Sequence, residues 1–314
     1  MSMIQSFQEI ALRARALPAR SCVALACAHD LHSLQALADA RRDGIADGIL
    51  IGKEPKIREI LNQLGEDAGD YEIVPCADPA ESVRIAADFV HRGNAGVIMK
   101  GRMETAEIIR GILDRDNSLR TDSRLSVTGL FETKAYHKIF GITDVAITPY
   151  PDLQMKKNII TNATTLFHAL GQENPKVAVL AAVEKAIPKM KETMDASQLK
   201  QMGLSGEITS CVIEGPVSFD LAISSEAANL KGYHSSVAGD ADIFVVPDLV
   251  CGNVLAKGLT CLAGAVTAGI VLGAKVPIVL VSRAATAEDK YYSIATAACT
   301  APFFRQKYQM QGEL

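Results

Sequence analysis

Val276–Asp289, VPIVLVSRAATAED, holds an apolar β-run, Val276 and Ile278–Val281, that stops on Ser282-Arg283, and Asp289 follows seven residues after the serine. Thr286 opens a helical pattern that continues through Ala287, Glu288, Ile294 and Ala298. A hydroxyl, a permanent cation and a carboxylate are thus gathered on a strand-to-helix turn. Ligands of open α/β sheets collect in the crevice outside the carboxyl ends of strands, so such a turn is where an anion-handling site belongs. The same residues also fit a plainer arrangement, with Ser282 capping the helix and Arg283 a solvated turn charge.

Outward from this turn the chain repeats the same alternation. Strand-like runs occur at 22–28, 48–51, 71–74 and 96–99, separated by helical periodicity: Leu31, Leu34, Leu37 and Ala38 share one face, as do Val83, Ala86, Ala87 and Val90. The rhythm resumes at 177–181, 208–213, 243–246 and 277–281. This predicts an α/β fold with a mainly parallel sheet and crossover helices. The middle of the chain has apolar runs at 127–131 and 145–147, with Pro149 and Pro151 marking a turn, and an interdomain crossing is expected near Ser126.

At 314 residues the chain is long for one hydrophobic core, and two domains are expected. With 48% hydrophobic and 22% charged residues and a net charge of -4, nothing argues for nucleic acid, and no basic arm is present. Seven cysteines without a CxxC pair fit reduced thiols rather than a disulfide frame or a structural zinc site. Cys22–Ala28 reads as a buried strand, not a signal peptide. Residues 262–281 are about the length of a membrane span, but Lys275 and Pro277 interrupt them and Gly264, Gly269 and Gly273 punctuate them, which reads as helix, turn and strand. A cytoplasmic protein without membrane partners is expected. Neither GxxxxGK[ST] nor GxGxxG occurs, and GIVLGAK at 269–275 has the wrong spacing for a phosphate loop.

Three further stretches could carry chemistry. In MKGRMETAEIIR, 99–110, Lys100 follows a strand, Gly101 permits a tight turn, and Thr105 and Arg110 lie on the opening turns of a helix. Helix-start amides attract anions and an arginine grips phosphate through paired donors, although for Arg110 taken alone the wet face of an exposed amphipathic helix is the stronger reading. EGPVSFDLA, 214–222, ends a strand on Gly215-Pro216 and opens a helix with Asp220. VPDLVCGNVLAK, 246–257, sets Pro247-Asp248 and Gly252-Asn253 after a strand, and its Cys251 reads as a buried or inert thiol rather than a nucleophile. The six histidines offer no metal spacing, and no metal ligands are assigned.

Taken in order, MKGRMETAEIIR, EGPVSFDLA, ADIFVVPDLVCGNVLAK and VPIVLVSRAATAED resemble the phosphate acetyl/butyryltransferase family over nearly the whole chain, closer to its butyryltransferase branch. The resemblance implies reversible transfer of a short acyl group, acyl-CoA plus phosphate giving acyl phosphate plus CoA, with CoA as substrate and no tightly bound cofactor. It implies two α/β domains around a cleft, in an isocitrate/isopropylmalate dehydrogenase-like fold: residues 1–126 plus 276–314 as the first and 127–275 as the second. The family's catalytic serine, arginine and acid fall on Ser282, Arg283 and Asp289. Arg110 matches its second phosphate-side arginine, with Lys100, Gly101, Thr105 and Asn253 on the phosphate and CoA side. The family's PD-x-x-T-G-N pattern is PDLVCGN here, so Cys251 stands in place of a hydroxyl residue. A homodimer or higher homo-oligomer is implied too.

The residue types suit this chemistry. A CoA thiol, with a pKa of roughly 8.5, gains nucleophilicity from a carboxylate base such as Asp289. Arg283 and Arg110 stay charged and can hold phosphate, and Ser282 can donate to a tetrahedral oxyanion. Direct transfer in a ternary complex follows from the lack of an evident activated nucleophile. Phosphate acetyl transfer is the nearest alternative. A metal- and NAD-dependent decarboxylating dehydrogenase would need a carboxylate cluster that Asp240 and Asp242 alone do not make, and a non-enzymatic anion-binding protein is the third reading.

Overall fold

The computed structural model describes residues 4–282 and 284–310, and the chain divides into two compact units. The first comprises Phe7–Ser123 with Ala268–Leu314, the second Met1–Ser6 with Arg124–Thr267.

The first unit begins α1 (Phe7–Arg15), β1 (Ser21–Ala26), α2 (Leu31–Arg42), β2 (Ala46–Gly52), α3 (Glu54–Gln63), β3 (Glu72–Pro75), α4 (Pro79–His91), β4 (Val97–Lys100) and α5 (Thr105–Leu113). Two of the helix starts have a side-chain cap. Asp30 accepts from the Ser33 amide ahead of α2, and Asp78 accepts from the Glu81 amide with Pro79 in the first turn of α4. The periodic positions Leu34, Leu37, Ala38, Val83, Ala86, Ala87 and Val90 are buried against the sheet, whereas Leu31 at the mouth of α2 stays 43% exposed.

The second unit follows as β5 (Ser126–Glu132), β6 (Phe140–Thr143), α6 (Leu153–Ala169), β7 (Lys176–Leu180), α7 (Lys191–Leu204), β8 (Val212–Val217), α8 (Phe219–Ile223), α9 (Ser225–Leu230), β9 (Ile243–Val245) and α10 (Leu249–Ala263). Its strands run in the order β5-β6-β9-β7-β8, antiparallel between β5 and β6 and parallel thereafter. The chain then makes β10 (Val266–Leu272) and β11 (Ile278–Val279), and α11 (Ala287–Met310) completes the first unit.

The apolar run 145–147 wraps the buried Asp144 carboxylate, whose Oδ1 accepts from the amides of Ala146 and Ile147 at 2.8 and 3.1 Å, just after β6. Two expected elements differ. Gly215-Pro216 sits inside β8 rather than ending it. β8 is an edge strand whose pairing with β7 shifts register there, a place where a missing amide hydrogen is tolerated. Residues 262–281 begin with the last two residues of α10 but continue as strand, turn and strand rather than as helix, turn and strand, because α10 stops before Gly264, which is in a left-handed conformation, and β10 and β11 pair antiparallel, Ile270 opposite Val279. GIVLGAK therefore begins as β-strand. This hairpin groups residues 268–275 with the first unit.

In the first unit the order is β3-β2-β1-β4-β11-β10, with β4 parallel to both β1 and β11. Successive crossovers run outward from β1 to β3 and then return to the other side of β1. The reversal between β1 and β4 is a topological switch point, and beyond its carboxyl ends lies the crevice in which such sheets bind ligands.

Candidate active site

Three strand ends deliver their following residues to that crevice. Asp30 and Ser33 come after β1, Lys100 ends β4 and Gly101, Arg102, Met103, Glu104 and Glu107 follow it, and Val281, Ser282 and Lys290 come after β11; together they line a cavity of about 560 Å³. Gly101 is required by a close approach of backbones. Its amide donates to Ala26 O at 2.8 Å, and a Cβ there would stand 2.3 Å from Cys27 O.

Ser282 reaches this cavity; its Oγ accepts from the Ala284 amide at 3.3 Å, and among the described residues no side-chain acceptor takes its own hydrogen, which can be offered to a ligand. The capping role that the sequence also allowed Ser282 falls to Thr286. Thr286 Oγ1 accepts from the Asp289 amide at 3.0 Å, and Asp289 Oδ2 accepts from the Thr286 amide and hydroxyl at 3.0 and 2.8 Å. This reciprocal pair starts α11. Asp289 is thus bound into a helix cap and is not among the lining residues of the cavity. Arg283 lies outside the described residues.

The sequence expectations for the other site residues divide. Lys100 and Gly101 line the cavity, and Thr105 is the first residue of α5 just behind Glu104. Arg110 is exposed on α5 and lines a separate depression with Ala106, Ile109, Leu113 and Asp114. Asn253 belongs to the second unit, where its Nδ2 donates to Val145 O at 3.3 Å and Gly252 beside it packs on Asp144 O.

Asp30, Ser33 and Lys290 were not legible as site residues. Lys290 Nζ lies 3.0 Å from Asp30 Oδ2 and 3.4 Å from Ser33 Oγ, although 260 positions separate it from Asp30. Burial alone would raise the Asp30 carboxyl, but bonds from Ser33 and Lys290 outweigh it and hold the group below its ordinary value. Lys100 and Lys290 are only 8% and 4% exposed, so each needs an anionic or dipolar neighbour where it stands. Nearby His29 is pushed down by burial and by Lys53, Arg102 and Lys56, which keeps it neutral near pH 7.

Burial and then Asp248 push the Cys251 thiol up, the reverse of nucleophile activation. Asp240 and Asp242 are ion-paired with Lys138 at 2.8 and 2.7 Å, and Asp240 also with Lys176. Among the described residues no group of three or more histidine, cysteine, aspartate or glutamate side chains is arranged to hold a metal ion, and no helix is long and apolar enough to cross a membrane.

Comparison with known proteins adds three findings. Residues 77–298 match the family described as Phosphate acetyl/butaryl transferase. The chain is 41% identical over 299 residues to the phosphate butyryltransferase of Clostridium acetobutylicum, covering 95% of this chain and 99% of that one, and 37% identical over 276 residues to the phosphate acetyltransferase of Thermotoga maritima, covering 88% and 94%. In structure it is similar to a branched-chain phosphotransacylase from Enterococcus faecalis V583, with a TM-score of 0.79 at 30% identity over 90% of this chain and 99% of that one.

Proposed function

The chain belongs to the phosphate acetyl/butaryl transferase family, and from that premise we propose that the cavity at the ends of β1, β4 and β11 is where it moves a short acyl group reversibly between CoA and inorganic phosphate. The observation that carries the reading is the meeting of the Lys100-Gly101 turn and Ser282, two of the family-like motifs, on one cavity wall.

In the direction of acyl phosphate synthesis, a phosphate oxygen attacks the thioester carbonyl, the carbon–sulfur bond breaks, and CoA leaves as a thiol. Arg283 is assigned the phosphate and Ser282 the oxyanion of the tetrahedral intermediate, where a donor aimed at developing charge is worth most. Asp289 is assigned proton transfer at the CoA sulfur, a role in which it gives up its bonds from Thr286. Arg110 and Asn253 are assigned the outer phosphate and CoA groups. The transfer is direct, in a ternary complex, and needs no tightly bound cofactor.

The butyryl-like substrate is favoured by the Clostridium relative, and acetyl transfer is equally compatible with the Thermotoga one. One methylene changes pocket discrimination by only about 1–3 kcal/mol, so several chain lengths are expected to turn over. The two units are read as an isocitrate/isopropylmalate dehydrogenase-like pair, and the protein as a cytoplasmic homodimer or higher homo-oligomer. Support for assembly comes from α10, where Val250, Val254 and Leu262 are 60%, 65% and 90% exposed and only Gly252 is buried. Acyl-CoA consumption in phosphate buffer, followed across acyl lengths with Arg283→Ala alongside, tests the central reading. A severe loss is expected in that variant, and wild-type-like turnover would remove the assignment.

A further inference from the structure

We propose that Lys290 is a substrate-contacting residue, a second anchor for the phosphate oxygens, and that Asp30 and Ser33 are the positioning residues that hold it there. This rests on the reading of the cavity as the phosphate and acyl-CoA site. Lys290 stands on the first turn of α11, where the positive end of the helix disfavours a cation, and its partners Asp30 and Ser33 belong to the start of α2, a second positive end. Packing alone would not choose an ammonium for a place 4% exposed between two helix starts, since an apolar residue of similar size fills such a site at lower cost.

An ammonium carries three donors. Asp30 Oδ2 at 3.0 Å and Ser33 Oγ at 3.4 Å accept two of them, and Lys290 is itself part of the cavity wall. Among the described residues no third acceptor meets the ammonium, which leaves its third donor for a ligand. Of the carboxylates on the wall, Glu104 and Glu107 are engaged in a reciprocal capping box at the start of α5, the Glu104 amide donating to Glu107 at 2.6 Å, and Asp30 is taken up by Lys290 and Ser33. A phosphate oxygen beside Ser282 therefore meets a desolvated, pre-positioned cation, and charge-assisted bonds of that kind are stronger than neutral ones. Lysine also suits the task geometrically, because its rotatable point charge can follow an oxygen as phosphate becomes acyl phosphate. Arg110, the expected second cation, stands outside this lining.

The test is calorimetric titration of inorganic phosphate into the wild-type protein, Lys290→Gln, and the Asp30→Asn/Lys290→Gln pair, with thermal unfolding to show that each is folded. The double variant replaces the ion pair with two amides and leaves no buried carboxylate unpaired. Phosphate binding is expected to weaken on the order of tenfold or more in both variants. The KM for acyl-CoA is expected to stay within about twofold, a split that a merely structural ion pair would not produce. Phosphate affinity within twofold of wild type in the folded double variant would overturn the proposal. Because titration needs no turnover, wild-type protein that binds phosphate through Lys290 yet transfers no acyl group would sink the acyltransferase reading and not this one.

Discussion

Asp289 carries two assignments that single substitutions can separate. Its carboxylate holds the Thr286 amide and hydroxyl, so loss of either partner should cost about 1 kcal/mol of cap stability, seen as a lower midpoint in urea unfolding. Only the carboxylate can exchange a proton with CoA. Asp289→Asn is therefore expected to lower turnover by roughly 10²-fold or more, whereas Thr286→Ala should shift stability alone. Equal losses in the two variants would reduce Asp289 to a cap. Asp30 yields a second prediction with a definite sign. Its folded value lies below the ordinary 3.8, so its contribution to stability is present in full above that pH and is lost as pH falls through the lower folded value. In Asp30→Asn the gap from wild type, measured by urea unfolding from pH 7 to pH 3, should be widest at neutral pH and narrow below about pH 4. A gap independent of pH would show that the pairing with Lys290 contributes nothing. At this scale the sequence was informative only where chemistry and neighbours coincide. Ser282 and Lys100-Gly101 are visible at strand ends, but Asp30 reads as an ordinary helix cap and Lys290 as an ordinary helix charge, and only the fold sets them 3.0 Å apart.

The elements explain why these residues meet. β1, β4 and β11 are parallel neighbours, so their carboxyl ends point the same way and the helices that follow, α2, α5 and α11, begin around one cavity. Ser293 fixes the register of the last of these. Its Oγ donates to Asp289 O at 2.6 Å and accepts from the Gly269 amide at 3.0 Å, which ties the first turn of α11 to β10. Gly269 must be glycine for this, since a Cβ would stand 2.3 Å from Leu280 O. The wrong reading of that stretch as helix has the same origin. Glycine punctuation marks either a helix broken by turns or a strand approached closely by other backbone, and periodicity does not separate them in a short apolar run. Gly101 is the sharper test. Gly101→Ala places a methyl group against the Cys27 and Ala26 carbonyls, which belong to backbone and cannot swing aside. A loss of about 3 kcal/mol in chemical denaturation is expected. Activity measured well below the unfolding transition should also fall, because the displaced turn carries Lys100 and Arg102. An alanine variant as stable as wild type would show that β1 and β4 can separate here without cost.

At the scale of the whole chain, the alternating rhythm revealed the α/β class because period-2 and period-3.6 patterns are local. The division into units was less legible, because it depends on which strands pair across long stretches of sequence. The first unit is assembled from both ends of the chain: β11 lies between β4 and β10, Phe7 stacks on Tyr292 at 5.0 Å, and Ile294, Ala298, Phe304 and Tyr308 of α11 are buried. Its core is therefore incomplete until the last forty or so residues are made, while Arg124–Thr267 runs continuously through the second unit. A chain ending at Lys275 would leave β4 and β10 without the strand between them, and their unpaired backbone groups and the apolar surface beneath α11 would face water. Such a chain is expected to lose the first unit and keep the second. Limited proteolysis with mass mapping should recover a resistant fragment covering approximately 124–267 and rapid cleavage within 7–123. Protection of 7–123 in the truncated chain would mean that β1 to β4 and their helices bury enough apolar surface to fold alone, and that α11 serves the site rather than the stability of its unit.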